Sequence, residues 1–193
     1  GAHAPDENRQ APAIIALGHA RSKADALVPK LLELHGKEGI EWTARESIPL
    51  ALANLGKGAV PRLRVALRER DPLRVAMVCK ALGAIGADAE EAIDDLVALM
   101  TDKQGLVWWT EAGGALAGIG KPAVKALKKL LKEKDTNVRR EAAAAFGRMG
   151  IEAKPALSTL KRMARSDSDM GVRHAAERAV DLIDRALDEA KKR

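Results

Sequence analysis

A short alanine-rich block recurs six times along the chain: Ala13 to Gly18, Ala51 to Gly56, Ala81 to Gly86, Ala115 to Gly120, Ala145 to Gly150 and Ala179 to Asp184. Successive blocks begin 38, 30, 34, 30 and 34 residues apart. A period of this length marks one supersecondary unit that cannot bury its apolar face alone, so neighbouring units must stack into a continuous core. Most other architectures for 193 residues are excluded on this ground.

Three more columns repeat in step with the blocks. The first is Val28, Val60, Ile93, Val124 and Leu157. Three residues on come Leu31, Leu63, Leu96, Leu127 and Leu160, followed by Leu34, Ala66, Leu99, Leu130 and Met163. Apolar residues at i, i+3 and i+6 or i+7 form the stripe of an amphipathic helix. Each repeat therefore opens with a first helix, and the alanine block closes a second. Asp71 before Pro72 reads as an N-cap with proline at the first helical position, and Gly18, Gly56, Gly86, Gly120 and Gly150 suit left-handed helix ends. The chain is expected to be an all-α α-solenoid (superhelix) of about five helix pairs plus a leading helix around Arg9 to His19. It reads as one domain, 1–193, with repeats at approximately 22–56, 57–86, 87–120, 121–150 and 151–187. The final helix, about Val172 to Lys192, has the polar tail of a capping repeat, whereas the leading helix is unpaired and apolar at Ile14, Ile15 and Leu17, a face that leaves room for an N-terminal neighbour.

The segment from Gly56 through Lys57, Gly58, Ala59, Val60 and Pro61 to Leu63 resembles the opening of a HEAT repeat. So do Asp135, Val138 and Arg139, and Asp169, Val172 and Arg173, at the start of second helices. The resemblance extends over nearly the whole chain and lies nearest the HEAT-like repeats of the phycobilin lyase type. Two departures stand out: the first repeat is long between Leu34 and Glu41, and the third has Gly105 and Trp109 where the others have Asp and Arg. The resemblance implies an armadillo-like helical scaffold, second helices on a concave face, and protein–protein interaction rather than catalysis. It also implies the handling of a tetrapyrrole as a minor alternative.

Four arginines fall at the start of second helices: Arg45, Arg74, Arg139 and Arg173. Three of them follow an acid by four residues, an arrangement that suits the helix dipole and lets each arginine pair with that acid or with one in the next repeat. The same guanidinium groups, aligned on one face, would grip carboxylates or phosphates. The chain has only three tryptophans, Trp42, Trp108 and Trp109, all placed in the first turn of second helices. Tryptophan is favoured at interaction hot spots, and one of the adjacent pair is expected to point outward, while Trp42 is read as filling core space. Gly113 and Gly114 inside a helix are expected to allow close packing of the first helix against the second. Trp108, Trp109, Arg45, Arg74, Arg139 and Arg173 thus form the expected partner-binding row.

Catalytic chemistry finds little support. His3, His19, His35 and His174 are spread along the array, and the single cysteine, Cys79, lies among apolar residues of a second helix and reads as an inert core thiol. Gly118 to Lys121 lacks the serine or threonine of a phosphate loop, and Ser158 with Lys161 has no companion motif. No catalytic residue, cofactor or metal is expected. Charge divides unevenly: residues 1–96 carry 13 basic and 14 acidic side chains, residues 97–193 carry 20 and 13. Lys121, Lys125, Lys128, Lys129, Lys132 and Lys134 concentrate the basic excess on one first helix, which reads as a solvated face or as a footprint for nucleic acid. The leading expectation is a non-catalytic scaffold for a protein or peptide on its concave surface. The alternative is nucleic-acid binding through the basic C-terminal half, in a DNA glycosylase-like manner with Glu111 or Asp135 beside Trp108 and Trp109. The longest uncharged stretch, Gln10 to Ala20, is too short for a membrane span. One cysteine leaves the compartment open: cytoplasmic residence is the default, and export is the alternative if Ala2-His3-Ala4 is the remnant of a cleaved leader.

Overall fold

The computed structural model describes residues 10–69, 71–102 and 108–192. Eleven α-helices carry these residues: α1 (Gln10–Leu17), α2 (Ala24–Gly36), α3 (Trp42–Asn54), α4 (Val60–Arg68), α5 (Pro72–Ile85), α6 (Ile93–Met100), α7 (Trp109–Ile119), α8 (Val124–Leu130), α9 (Thr136–Met149), α10 (Leu157–Ser166) and α11 (Met170–Lys191). There is no strand among the described residues. Arg9, His3, the Ala2-His3-Ala4 tripeptide and Gly105 lie outside them.

The column that recurs most strictly in the sequence is also the most deeply buried. Leu63, Leu96, Leu127 and Leu160 are fully buried on α4, α6, α8 and α10, and Leu31 nearly so on α2. These leucines point from the first helices toward the second, where alanines such as Ala51, Ala81, Ala115 and Ala145 present little bulk and the helices approach closely. α1, α3, α5, α7, α9 and α11 pack in succession as one layer, and α2, α4, α6 and α8 form a run in the other. α1 stands in the second-helix layer, against α3. The result is the all-α solenoid of helix pairs expected from the repeat.

Between repeats, each second helix passes into the next first helix through a short 3-10 turn, as at Gly56–Ala59, Gly86–Ala92, Lys121–Ala123 and Gly150–Ala156. Gly56, Gly86, Gly120 and Gly150 open these turns with φ of 68°, 75°, 76° and 59°, backbone that a β-carbon disfavours. Gly18 does not share this conformation, contrary to the pattern in the sequence. Its glycine is needed for another reason: an added β-carbon would lie 2.5 Å from the Ala51 carbonyl oxygen. Asp135 and Asp169 cap α9 and α11, the former accepting from Asn137 N at 2.8 Å and the latter from Val172 N at 2.9 Å.

Candidate functional site

The four arginines are engaged with loops. The Arg139 guanidinium forms a two-pronged pair with Asp167 of the next repeat, both bonds 3.0 Å long, while its Nη1 donates to the carbonyls of Glu133 and Lys134. Arg173 Nη1 donates to the carbonyls of Asp167 at 2.7 Å and Ser168 at 3.3 Å. Arg45 Nη2 reaches the Lys37 carbonyl at 3.0 Å, and its buried Nε has no hydrogen-bond partner among the described residues. Arg74 pairs with Glu69 at 2.9 Å and lies 3.6 Å from Asp71. Each arginine thus ties the loop between the two helices of its own repeat to the start of the second helix. Only Arg139 and Arg173 are brought together, around Asp167.

Burial alone would raise the Asp167 carboxyl, but hydrogen bonds from Arg139 and the Asp169 N–H, with the charges of Arg139 and Arg173, outweigh it and hold the group below its ordinary value. The side chains of Arg139 and Asp167 retain only 13% and 10% of their exposure. Their chief role in this geometry is to lock one repeat to the next.

The tryptophans are distributed differently from the sequence expectation. Trp42, read there as core filling, is 73% exposed at the start of α3. Trp108 is buried and is the N-cap residue preceding α7, and Trp109 packs partly against the core. Trp108 stands where Val138 and Val172 stand in later repeats, which explains its burial: it fills the space those valines fill. An indole at that place is inaccessible to a base or a peptide.

The glycine pair also separates. Gly113 faces Glu141 of α9, whose carboxylate pairs with Arg148, so it serves contact between second helices and not contact with a first helix. A β-carbon added at Gly114 would meet nothing within 4 Å. Gly114 opens instead onto a groove of about 420 Å³ between α5 and α7, floored by Ala76, Gly83, Gly114, Ala115 and Gly118 and edged by Lys80, Thr110 and Glu111. Where Gly118 meets Gly83 the two backbones nearly touch, since a β-carbon on Gly118 would lie 2.5 Å from the Gly83 carbonyl oxygen.

Cys79 also borders this groove, but its side chain is fully buried, and desolvation together with the Glu111 charge pushes its thiol up to about 12. At neutral pH it is a thiol and a poor nucleophile. Asp135 is spent on capping α9, so of the acid and aromatic residues considered for base excision only Glu111 and Trp109 remain near one another in sequence on an accessible helix. Among the described residues no group of three or more His, Cys, Asp or Glu side chains is placed to hold a metal ion, and no helix is long and apolar enough to cross a membrane.

Sequence reasoning missed the groove because its floor is made of small residues that look like packing. The available signal was Gly114, a helical glycine that no neighbour requires.

Residues 110–181 match the family model for HEAT repeats. Among solved structures, an engineered protein is 25% identical over 95% of this chain and 94% of its own, with a TM-score of 0.42. The complex of CpcE and CpcF of phycocyanin lyase from Nostoc sp. PCC7120 is 22% identical over 90% of this chain and 71% of that one, with a TM-score of 0.44. No curated protein matches the chain.

Proposed function

Because residues 110–181 are HEAT repeats and the same helix pair recurs before them, we propose that this chain is a non-catalytic scaffold whose second-helix face receives an extended segment of a protein partner. The observation that carries this reading is Gly114. Glycine costs about 1 kcal/mol relative to alanine inside a helix, and here neither backbone conformation nor a neighbouring atom asks for it. Its effect is to keep the groove between α5 and α7 deep enough for a peptide backbone. Lys80 and Glu111 at the rim offer charges of both signs, which favours a polypeptide with its own mixed polarity over a polyanion. The arginines contribute by holding the loops that set the spacing of the second helices. Of the row expected from the sequence, Trp109, half-buried on α7, remains a proposed anchor outside the groove lining, and Trp42 joins it as an exposed indole on the same layer.

Selection of a random peptide display library on the intact chain tests the reading. Peptides enriched on the unaltered protein lose at least about tenfold in affinity when Gly114→Leu fills the groove, the scale expected for one blocked apolar contact. Affinity unchanged by Gly114→Leu, in a variant that melts as the parent does, overturns it.

A further inference from the structure

The turn between the last two repeats carries a residue that the repeat pattern does not explain. The position after the glycine that ends each second helix is Lys57, Ala87 and Lys121 in the preceding inter-repeat turns, small or charged side chains suited to solvent. In the last turn it is Ile151, and it is 48% exposed. Isoleucine there neither enters the core nor completes a cap.

Ile151 instead forms one wall of an apolar groove of about 760 Å³ with Pro122, Val124 and Pro155, at the place where α8 meets the Gly150–Ala156 turn. Lys121, Lys125 and Lys128 stand around it. Lys128 donates to the Pro155 carbonyl at 3.1 Å, which ties the two repeats together along one side of the groove. No ion pair involves Lys121 or Lys125 among the described residues. The one acid of the lining, Glu152, has its carboxylate against Gly120, where an added β-carbon would collide with it, and the three lysines outnumber it. An apolar floor with unpaired ammonium groups on its rim is complementary to a segment that carries aliphatic side chains among carboxylates.

We propose that this groove, on a different face from the one between α5 and α7, docks an acidic polypeptide segment with an aliphatic residue seated against Ile151 and carboxylates on Lys121 and Lys125. A nucleic acid fits it less well: the lining residues include no aromatic ring on which a base would stack and no arginine to fork onto a phosphate, whereas the floor is wholly aliphatic. The lysine-rich α8, expected from sequence to be a solvated face or a nucleic-acid footprint, thereby acquires a different partner class.

The test is fluorescence anisotropy of the full chain with a labelled glutamate-rich peptide carrying two leucines, a second peptide in which serine replaces both leucines, and an unlabelled DNA duplex as competitor. The leucine peptide binds at least about tenfold tighter than the serine peptide; Ile151→Glu removes that advantage and Lys125→Glu weakens both peptides, each leaving the melting midpoint in place. Because Lys125 is exposed on the helix surface, that variant folds even if Ile151→Glu does not. Equal binding of the two peptides reduces the lysines to a charged surface and overturns the proposal. So does duplex displacing the peptide at lower concentration than unlabelled peptide does, or the absence of binding at low ionic strength.

Discussion

Two glycines one turn apart on α7 carry opposite predictions. Gly114→Ala and Gly118→Ala add the same methyl group to the same helix and gain up to about 1 kcal/mol of helix propensity. At Gly114 the methyl enters open space, so the gain survives and the protein becomes more stable by about 1 kcal/mol. At Gly118 the methyl falls 2.5 Å from the Gly83 carbonyl oxygen and 2.7 Å from its Cα. Both are backbone atoms that cannot rotate aside, so α5 and α7 must separate. Overpacking of this kind costs about 3 kcal/mol at its upper end, which leaves a net loss of about 2 kcal/mol after the propensity gain. The two variants should then differ by about 3 kcal/mol, equivalent to roughly 6–12 °C in melting midpoint for a chain of this size. Urea denaturation followed by circular dichroism, with thermal melts alongside, measures the difference directly. Destabilisation of both variants would refute the reasoning, because Gly114 would then be a packing residue like Gly118 and the groove would have no claim on it; stabilisation of both would refute the close contact at Gly118.

Four further outcomes follow from the same geometry. Leu96→Ala and Leu127→Ala, at fully buried positions of the strictest column, each cost about 2–5 kcal/mol in urea denaturation by leaving a cavity, and an unchanged midpoint would displace the assigned register. Arg139→Ala costs about 3 kcal/mol by leaving the Asp167 carboxylate without its partner, with the melting midpoint as the readout. The Asp167 carboxyl is held below its ordinary value, so the stability it contributes is complete above the unfolded value and is lost as pH falls through the lowered folded one. The acid limb of the stability profile should therefore be flatter in Asp167→Asn, and an identical limb would remove the pair from the account. Cys79, with its thiol pushed up to about 12, should resist iodoacetamide at neutral pH in the native chain and react on unfolding, as mass spectrometry would record.

Much of the architecture was legible because repetition multiplies a weak local signal. A leucine column read in one repeat is ambiguous; the same column in five repeats fixes the face of every first helix, and Leu31, Leu63, Leu96, Leu127 and Leu160 are all buried. The site was less legible because its signals belong to single repeats. Trp42 and Trp108 occupy similar places in the sequence, yet one is 73% exposed and the other buried, since Trp108 takes the inward valine register and Trp42 lies two residues before it. The arginines looked like a binding row because helix periodicity places them on a common face. What periodicity does not convey is that loop carbonyls and Asp167 reach those guanidinium groups first. Gly113 and Gly114 are indistinguishable as letters, and only the distance to Glu141 separates the packed glycine from the open one.

The central claim is that the space above Gly114 is kept for a partner's backbone. The most direct measurement is an amide chemical-shift titration of the isotopically labelled chain with a peptide selected on it. The account predicts the largest shifts at Gly83, Gly114 and Gly118 and their loss in Gly114→Leu. Shifts concentrated elsewhere, with those three amides unmoved, would contradict it.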